Sequence, residues 1–85
     1  MSYISPPSAL KAFPDAQLVK PKTLIQRKPP KLRKRWKDSQ GSIYEWDYQH
    51  GTVEKYDRNG KHLGEFHPET GLRLKEPNPS RKVEP

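Results

Sequence analysis

Ten prolines in 85 residues, with Pro6, Pro7, Pro14, Pro21, Pro29 and Pro30 crowded into the first third, constrain this chain more than any other feature. Each proline removes a backbone donor and clashes with the turn before it, so no helix in that segment can reach a stable length. One turn of helix over Ser8–Phe13, capped by Ser8, is the most it allows. Lys20–Lys31 reads as extended, polyproline-like chain. Ordered structure is expected from Lys37 onward.

There the texture changes to that of a sheet. Ser39–Ser42 is a loop, and Ile43–Tyr48 is a strand by its β-branched and aromatic content. His50-Gly51 interrupts as a turn or bulge before a second strand, Thr52–Asp57. Asn59-Gly60 tolerates positive φ at both positions and marks a hairpin into Lys61–Phe66. His67–Gly71 turns the chain again into a short strand, Leu72–Lys75, and Pro77 and Pro79 end the sheet. The expected fold is mainly β: a small, highly twisted antiparallel sheet of three or four strands in residues 37–85. An extended, Pro-rich basic arm or linker, residues 1–36, would precede it. So short a chain has room for one modest core, of the kind that rarely supplies more than about 3–5 kcal/mol.

Charge is distributed unevenly. Residues 1–36 hold nine Lys/Arg against Asp15 alone, while residues 37–85 hold eight against nine acids, for +7 in all. A basic arm on a near-neutral body suits nucleic acid, because phosphate contacts release counterions; a solvated basic linker is the plain alternative. Within the run Lys31-Leu-Arg-Lys-Arg-Trp36, Trp36 can stack on a base or fill the core, and a lone Trp buries more usefully than it stacks. With no cysteine, disulfides and thiolate metal sites are excluded. That suits a reducing workplace, and equally a protein that unfolds to cross a membrane. No apolar run approaches the ~20 residues of a membrane span, and no signal peptide opens the sequence.

Candidate chemistry concentrates in Tyr44–Tyr56, where Asp47, His50 and Glu54 fall within eight residues. On a helix, spacings of three and four would gather them into a metal site, but Gly51, Thr52 and Val53 argue against a helix. They could also be ordinary polar residues on an open sheet face. The third reading is metal-free acid–base cleavage of RNA, whose ribose 2′-hydroxyl is a built-in nucleophile. Glu54 would take that proton, His50 would protonate the departing 5′-oxygen, and Asp47 would orient the imidazole. Lys75 and Arg81 could return over the sheet to hold the phosphate. A two-residue turn at Asn59-Gly60 sets Glu54 opposite Glu65, and two facing carboxylates raise one pKa towards a useful base. That register sends His62 to the opposite face. His62 joins the site only if the hairpin carries a bulge.

The ordered segments KLRKRW, IYEWDYQHGTVEKY, GKHLGEFHPETG and LKEPNPSRK resemble the C-terminal cytotoxic domain of the ribosome-inactivating E-group colicins and cloacin. The likeness covers Lys31–Lys82, and residues 1–30 have no clear counterpart in it. It implies a twisted antiparallel sheet that makes one metal-independent, cofactor-free cut in 16S ribosomal RNA at the decoding centre and stops translation. It places catalytic positions on Asp47, His50, Glu54 and Arg81, and substrate contacts on Tyr44, His62 and Lys75. It leaves open whether Glu54 or Asp47 is the base. The hairpin after Tyr56 is about one residue shorter than in the family, Glu65 and Glu69 stand where less acidic residues are usual, and the tail is less basic.

The implied partners are the small ribosomal subunit with its 16S RNA and a cognate acidic immunity protein, drawn to the basic surface by fast, salt-sensitive association. A monomer is expected, with no stable membrane insertion, delivered as a toxin to the cytoplasm of a target bacterium. Receptor-binding and translocation regions are outside this sequence, which fits an excised domain or a cassette carried by another system. The competing expectation is a non-catalytic RNA- or ribosome-binding basic domain.

Overall fold

In the computed structural model, which describes residues 3–25 and 29–85, all four strands expected after Lys37 form. They are β5 (Ile43–Asp47), β6 (Thr52–Tyr56), β7 (His62–Phe66) and β8 (Arg73–Lys75), each antiparallel to the next. The proline-rich segment adds four more: β1 (Gln17–Val19), β2 (Leu24–Ile25), β3 (Lys31–Leu32) and β4 (Arg35–Lys37). The main sheet therefore has six strands, ordered β1-β4-β5-β6-β7-β8, and β2 and β3 form a separate ribbon. The fold is mainly β, as expected, but larger than three or four strands. Proline bars helices from the first third without barring short strands on a sheet edge.

Side chains alternate across a strand, so the registers assign the two faces. Trp36 faces Tyr44 and Trp46 faces Val53 on one side; Arg35 faces Glu45 and Glu45 faces Glu54 on the other. The first face is the core. It is closed by Leu10 and Ala16, both buried, with the half-buried Phe13 4.8 Å from the Tyr44 ring. Trp36 belongs to this core, which settles its role in favour of packing. The expected helical turn at Ser8–Phe13 reduces to one hydrogen bond, Phe13 N–H to the Leu10 carbonyl at 3.1 Å, before Pro14 redirects the chain.

The first third is thus extended but packed, and the boundary expected at residue 36 falls within β4. Burying Leu10 and Ile25 requires the sheet they cover, so the segment and the body share one core. The arm is tied down by polar bonds as well. Trp46 Nε1 donates to the Ile4 carbonyl at 2.8 Å, and Lys34 Nζ to that of Pro7 at 2.8 Å. The polyproline-like reading of Lys20–Lys31 gives way to β2 at Leu24–Ile25; its stretch over residues 26–28 lies outside the described residues.

The β6–β7 hairpin departs from a two-residue turn in an instructive way. Asp57 Oδ1 accepts from the amides of Asn59 and Lys61, both at 2.9 Å, and Gly60 takes φ +86°. The loop therefore spans three residues, Arg58–Gly60, closed by Asp57 N–H donating to the Lys61 carbonyl at 2.8 Å. That shifts the register by one, and a bulge beside Tyr56 shifts it back. Glu54 still ends opposite Glu65, but Tyr56 now pairs with His62, so His62 shares the face of Glu54.

Candidate active site

The polar face of β5–β7, roofed in part by residues 76–81, forms a cleft of about 580 Å³. Its walls carry Asp47, His50, Glu54, His62, Lys75 and Arg81 together, six of the seven residues singled out above.

Asp47 ends β5 and organises the turn that follows. Its Oδ1 accepts from the amides of Gln49 at 2.9 Å and His50 at 3.0 Å, which folds His50 back over it. Gly51, at φ +69°, completes the turn, and a Cβ there would press on Ile4. The Oδ2 of Asp47 then meets His50 Nδ1 at 2.9 Å. Burial works to raise the Asp47 pKa, but the two amide bonds and the imidazole outweigh it and hold the carboxyl below its ordinary value. With Nδ1 engaged, His50 can exchange a proton with a substrate only through Nε2, on a side chain 47% exposed.

Glu54 is built differently. It lies in the middle of β6, 3% exposed, with Glu65 directly opposite. His62 Nδ1 accepts the Asn78 amide at 2.9 Å, so Nε2 carries the ring proton and donates it to Glu54 Oε1 at 2.8 Å. Arg81 Nη1 stands 3.7 Å from the other oxygen, Oε2, while its Nε donates to the Tyr56 hydroxyl at 2.9 Å. Burial pushes the Glu54 pKa up; His62 and Arg81 oppose it, Glu65 adds to it, and the net shift is upward. The two carboxylates are therefore driven apart, Asp47 below and Glu54 above the ordinary carboxylate value.

Glu65 links the two systems, its Oε1 lying 3.9 Å from both His50 Nδ1 and Lys75 Nζ. Among the described residues, Asp47, His50 and Glu65 form a trio that could hold a metal ion, with one donor atom from each inside 4.8 Å; Glu54 is not in it. In that trio Asp47 and His50 already satisfy each other, and Asp47 Oδ1 is held by two amides, so a cation would have to displace existing bonds.

Tyr44 is the residue that does not join. Three positions from Asp47 on the same strand, it points to the core face, is 2% exposed, and its hydroxyl donates to Asp38 Oδ2 at 2.8 Å. His62 lines the cleft but is itself buried, with both ring nitrogens engaged in holding Glu54 and Asn78. Sequence reasoning passed over Tyr56 and Asn78; the parity of Tyr56 with Glu54 was a usable signal, and nothing local marked Asn78. Arg33, read only as one cation of the phosphate-gripping run Lys31–Trp36, lines the cleft with Nη1 on the Trp46 carbonyl at 2.8 Å.

A buried carboxylate with a raised pKa, an imidazole braced by an aspartate with a lowered one, and a guanidinium share one small cleft, a set of groups suited to acid–base chemistry. The pattern of the Cytotoxic family matches residues 4–84, and the chain belongs to that family. Colicin E3 of Escherichia coli is 53% identical over 53 residues, covering 60% of this chain and 10% of its own length. Colicin-E6 is 50% identical over 66 residues and cloacin 45% over 65, both from Escherichia coli, each covering 75% of this chain and 12% of the relative. The chain thus spans about a tenth of these relatives. The match from residue 4 also brings the proline-rich segment, expected to lack a counterpart, into the family region.

Proposed function

We propose that this chain is the ribonuclease unit of a bacteriocin-type toxin, cutting 16S ribosomal RNA in the small subunit by metal-independent transesterification. The observation that carries the reading is the opposite tuning of Asp47 and Glu54 in a cleft that also holds His50 and Arg81. Family membership supports the substrate class.

Glu54 is assigned as general base. Its Oε1 is fixed by His62, leaving Oε2 to receive the 2′-hydroxyl proton, and its raised pKa makes it the stronger base of the two carboxylates. Asp47 is a poorer base, because its pKa is lowered and each of its oxygens already accepts bonds. The 2′-oxygen attacks phosphorus, the bond to the 5′-oxygen breaks, and His50 delivers the proton that the leaving oxygen needs. Asp47 holds the ring by Nδ1 and so aims Nε2 at the leaving oxygen. Arg81 and Lys75 stabilise the charge that grows on the non-bridging oxygens. His62 acts as a positioning residue for Glu54. The products are a 2′,3′-cyclic phosphate and a 5′-hydroxyl.

The partners follow from the same reading: the small ribosomal subunit as target, an acidic immunity protein that covers the basic surface in the producing cell, and action in the cytoplasm of a target bacterium. Incubation with intact ribosomes in EDTA is the test. A discrete small-subunit RNA fragment at substoichiometric protein is expected; salt-sensitive binding with the RNA left whole would instead mark a non-catalytic binder.

A further inference from the structure

The last residues of the chain do more than trail from the sheet. Asn78–Glu84 runs along the β6–β7 hairpin and is fastened at successive points. The Asn78 amide donates to His62 Nδ1 at 2.9 Å, and the His62 amide to the Arg81 carbonyl at 3.3 Å. Lys61 and Lys82 form an antiparallel bridge, and the Val83 amide donates to the Gly60 carbonyl at 2.9 Å. The approach at Gly60 is so close that a Cβ there would overlap the Val83 carbonyl. At the far end Arg35, 1% exposed and not among the residues that line the cleft, donates from Nη1 to the Glu84 carbonyl at 2.7 Å. Its Nε and Nη2 are meanwhile locked on Glu45 Oε2 at 3.0 and 2.8 Å.

Arg81 sits between these fastenings. Its side chain is 39% exposed, and it is held to the site by Tyr56 at 2.9 Å and the longer approach to Glu54 at 3.7 Å. Those two contacts alone leave a long, rotamer-rich cation free to swing out; a fixed backbone on either side limits it. We propose that Asn78–Glu84 is a positioning strap, seated by Gly60 at the hairpin and by Arg35 at the tail, that sets Arg81 over the scissile phosphate. Gly60, Val83 and Arg35 are then positioning residues for a reaction they do not touch. This rests on the ribonuclease reading above for its kinetic consequence, though not for its geometry.

Two variants release the strap without altering a group in the cleft. Val83→Pro removes the donor to Gly60, and Gly60→Ala places a methyl where the strap lies. Each is expected to keep the near-UV signature of the Trp36 and Trp46 core while kcat on ribosomes falls about tenfold to a hundredfold, the scale of a small misplacement in a reacting constellation. In an Arg81→Ala background the same changes should cost nothing further, since they act through that side chain. The nitrogen-15 resonance of Arg81 Nε–H supplies a readout independent of cleavage, and it should shift or broaden in both variants. Unchanged cleavage with an altered resonance, losses that multiply with Arg81→Ala, or an unchanged resonance would each overturn the strap. Wild-type protein that leaves ribosomal RNA intact would bring down the ribonuclease reading instead, and the resonance would still decide on the strap.

Discussion

His62→Ala separates positioning from substrate contact. In the wild type, His62 makes one hydrogen bond to a buried carboxylate and accepts another from the Asn78 amide. A hydrogen bond to a charged group contributes about 1.5–3 kcal/mol, whereas Asn78 is exposed and its amide can turn to water. The variant should therefore lose about 1.5–3 kcal/mol, the worth of the bond to the buried carboxylate. That is a large share of the roughly 4–13 kcal/mol expected for a domain of this size. The loss should depend on pH. Burial raises the Glu54 pKa above its unfolded value, and the His62 bond is the largest influence opposing it. A raised carboxyl favours the fold below the unfolded pKa of about 4.3 and loses that contribution as pH rises through the folded pKa. Without His62 the folded pKa climbs further, so the deficit should be larger at pH 8 than at pH 4 in urea titrations followed by Trp fluorescence. In the pH–rate profile the acid limb of kcat/KM should move to higher pH. A raised KM with that limb unmoved would refute the positioning role and return His62 to the substrate.

Other perturbations address separate links of the same chain of cause. Asp47→Asn should lower kcat by roughly 10²–10⁴-fold, as for loss of a group serving acid–base catalysis. Because the Asp47 pKa is lowered in the fold, its stability contribution is present above the unfolded value of about 3.9 and lost as pH falls through the folded one; the variant's acid-unfolding curve should be flatter in that window. Leu10→Ala should destabilise by about 2–5 kcal/mol, measured by denaturant titration, since Leu10 is a core residue of the sheet and not part of a loose arm. Tyr44→Phe should leave cleavage unchanged on ribosomes and remove about 1 kcal/mol of stability with the hydrogen bond to Asp38.

The sheet from Ile43 to Lys75 was legible because its turns carry residues with one physical use, such as Asn59-Gly60 and Gly71, and its strands are rich in β-branched and aromatic side chains. The segment before it was not. Leu10, Ala16 and Ile25 are spaced by irregular intervals that match neither a helix nor a strand, so their burial becomes visible only with the sheet they cover. The pairing of Glu54 with Glu65 emerged from the wrong turn. Asp57, through its two side-chain bonds, enforces a three-residue loop, and the bulge beside Tyr56 cancels the shift. The bulge also turns His62 inward, the one condition under which the sequence allowed it into the site. For Tyr44 the signal was available. An interval of three along a strand changes face, so the spacing from Asp47 already opposed a place in the cleft. Arg81 comes from a proline-broken tail whose return depends on backbone bonds to the hairpin, so the sequence allowed that return over the sheet without fixing it.

The central claim is that the substrate's own 2′-oxygen is the nucleophile, with Glu54 taking its proton. The most direct measurement is the chemistry of the ends left on small-subunit RNA, read beside a substrate carrying a 2′-O-methyl group at the scissile nucleotide. A 2′,3′-cyclic phosphate and a 5′-hydroxyl, with no cleavage of the methylated RNA, are the expected result. A 5′-phosphate with a 3′-hydroxyl, or undiminished cutting of the methylated RNA, would mean that water attacks and that the roles given to Glu54 and His50 are wrong.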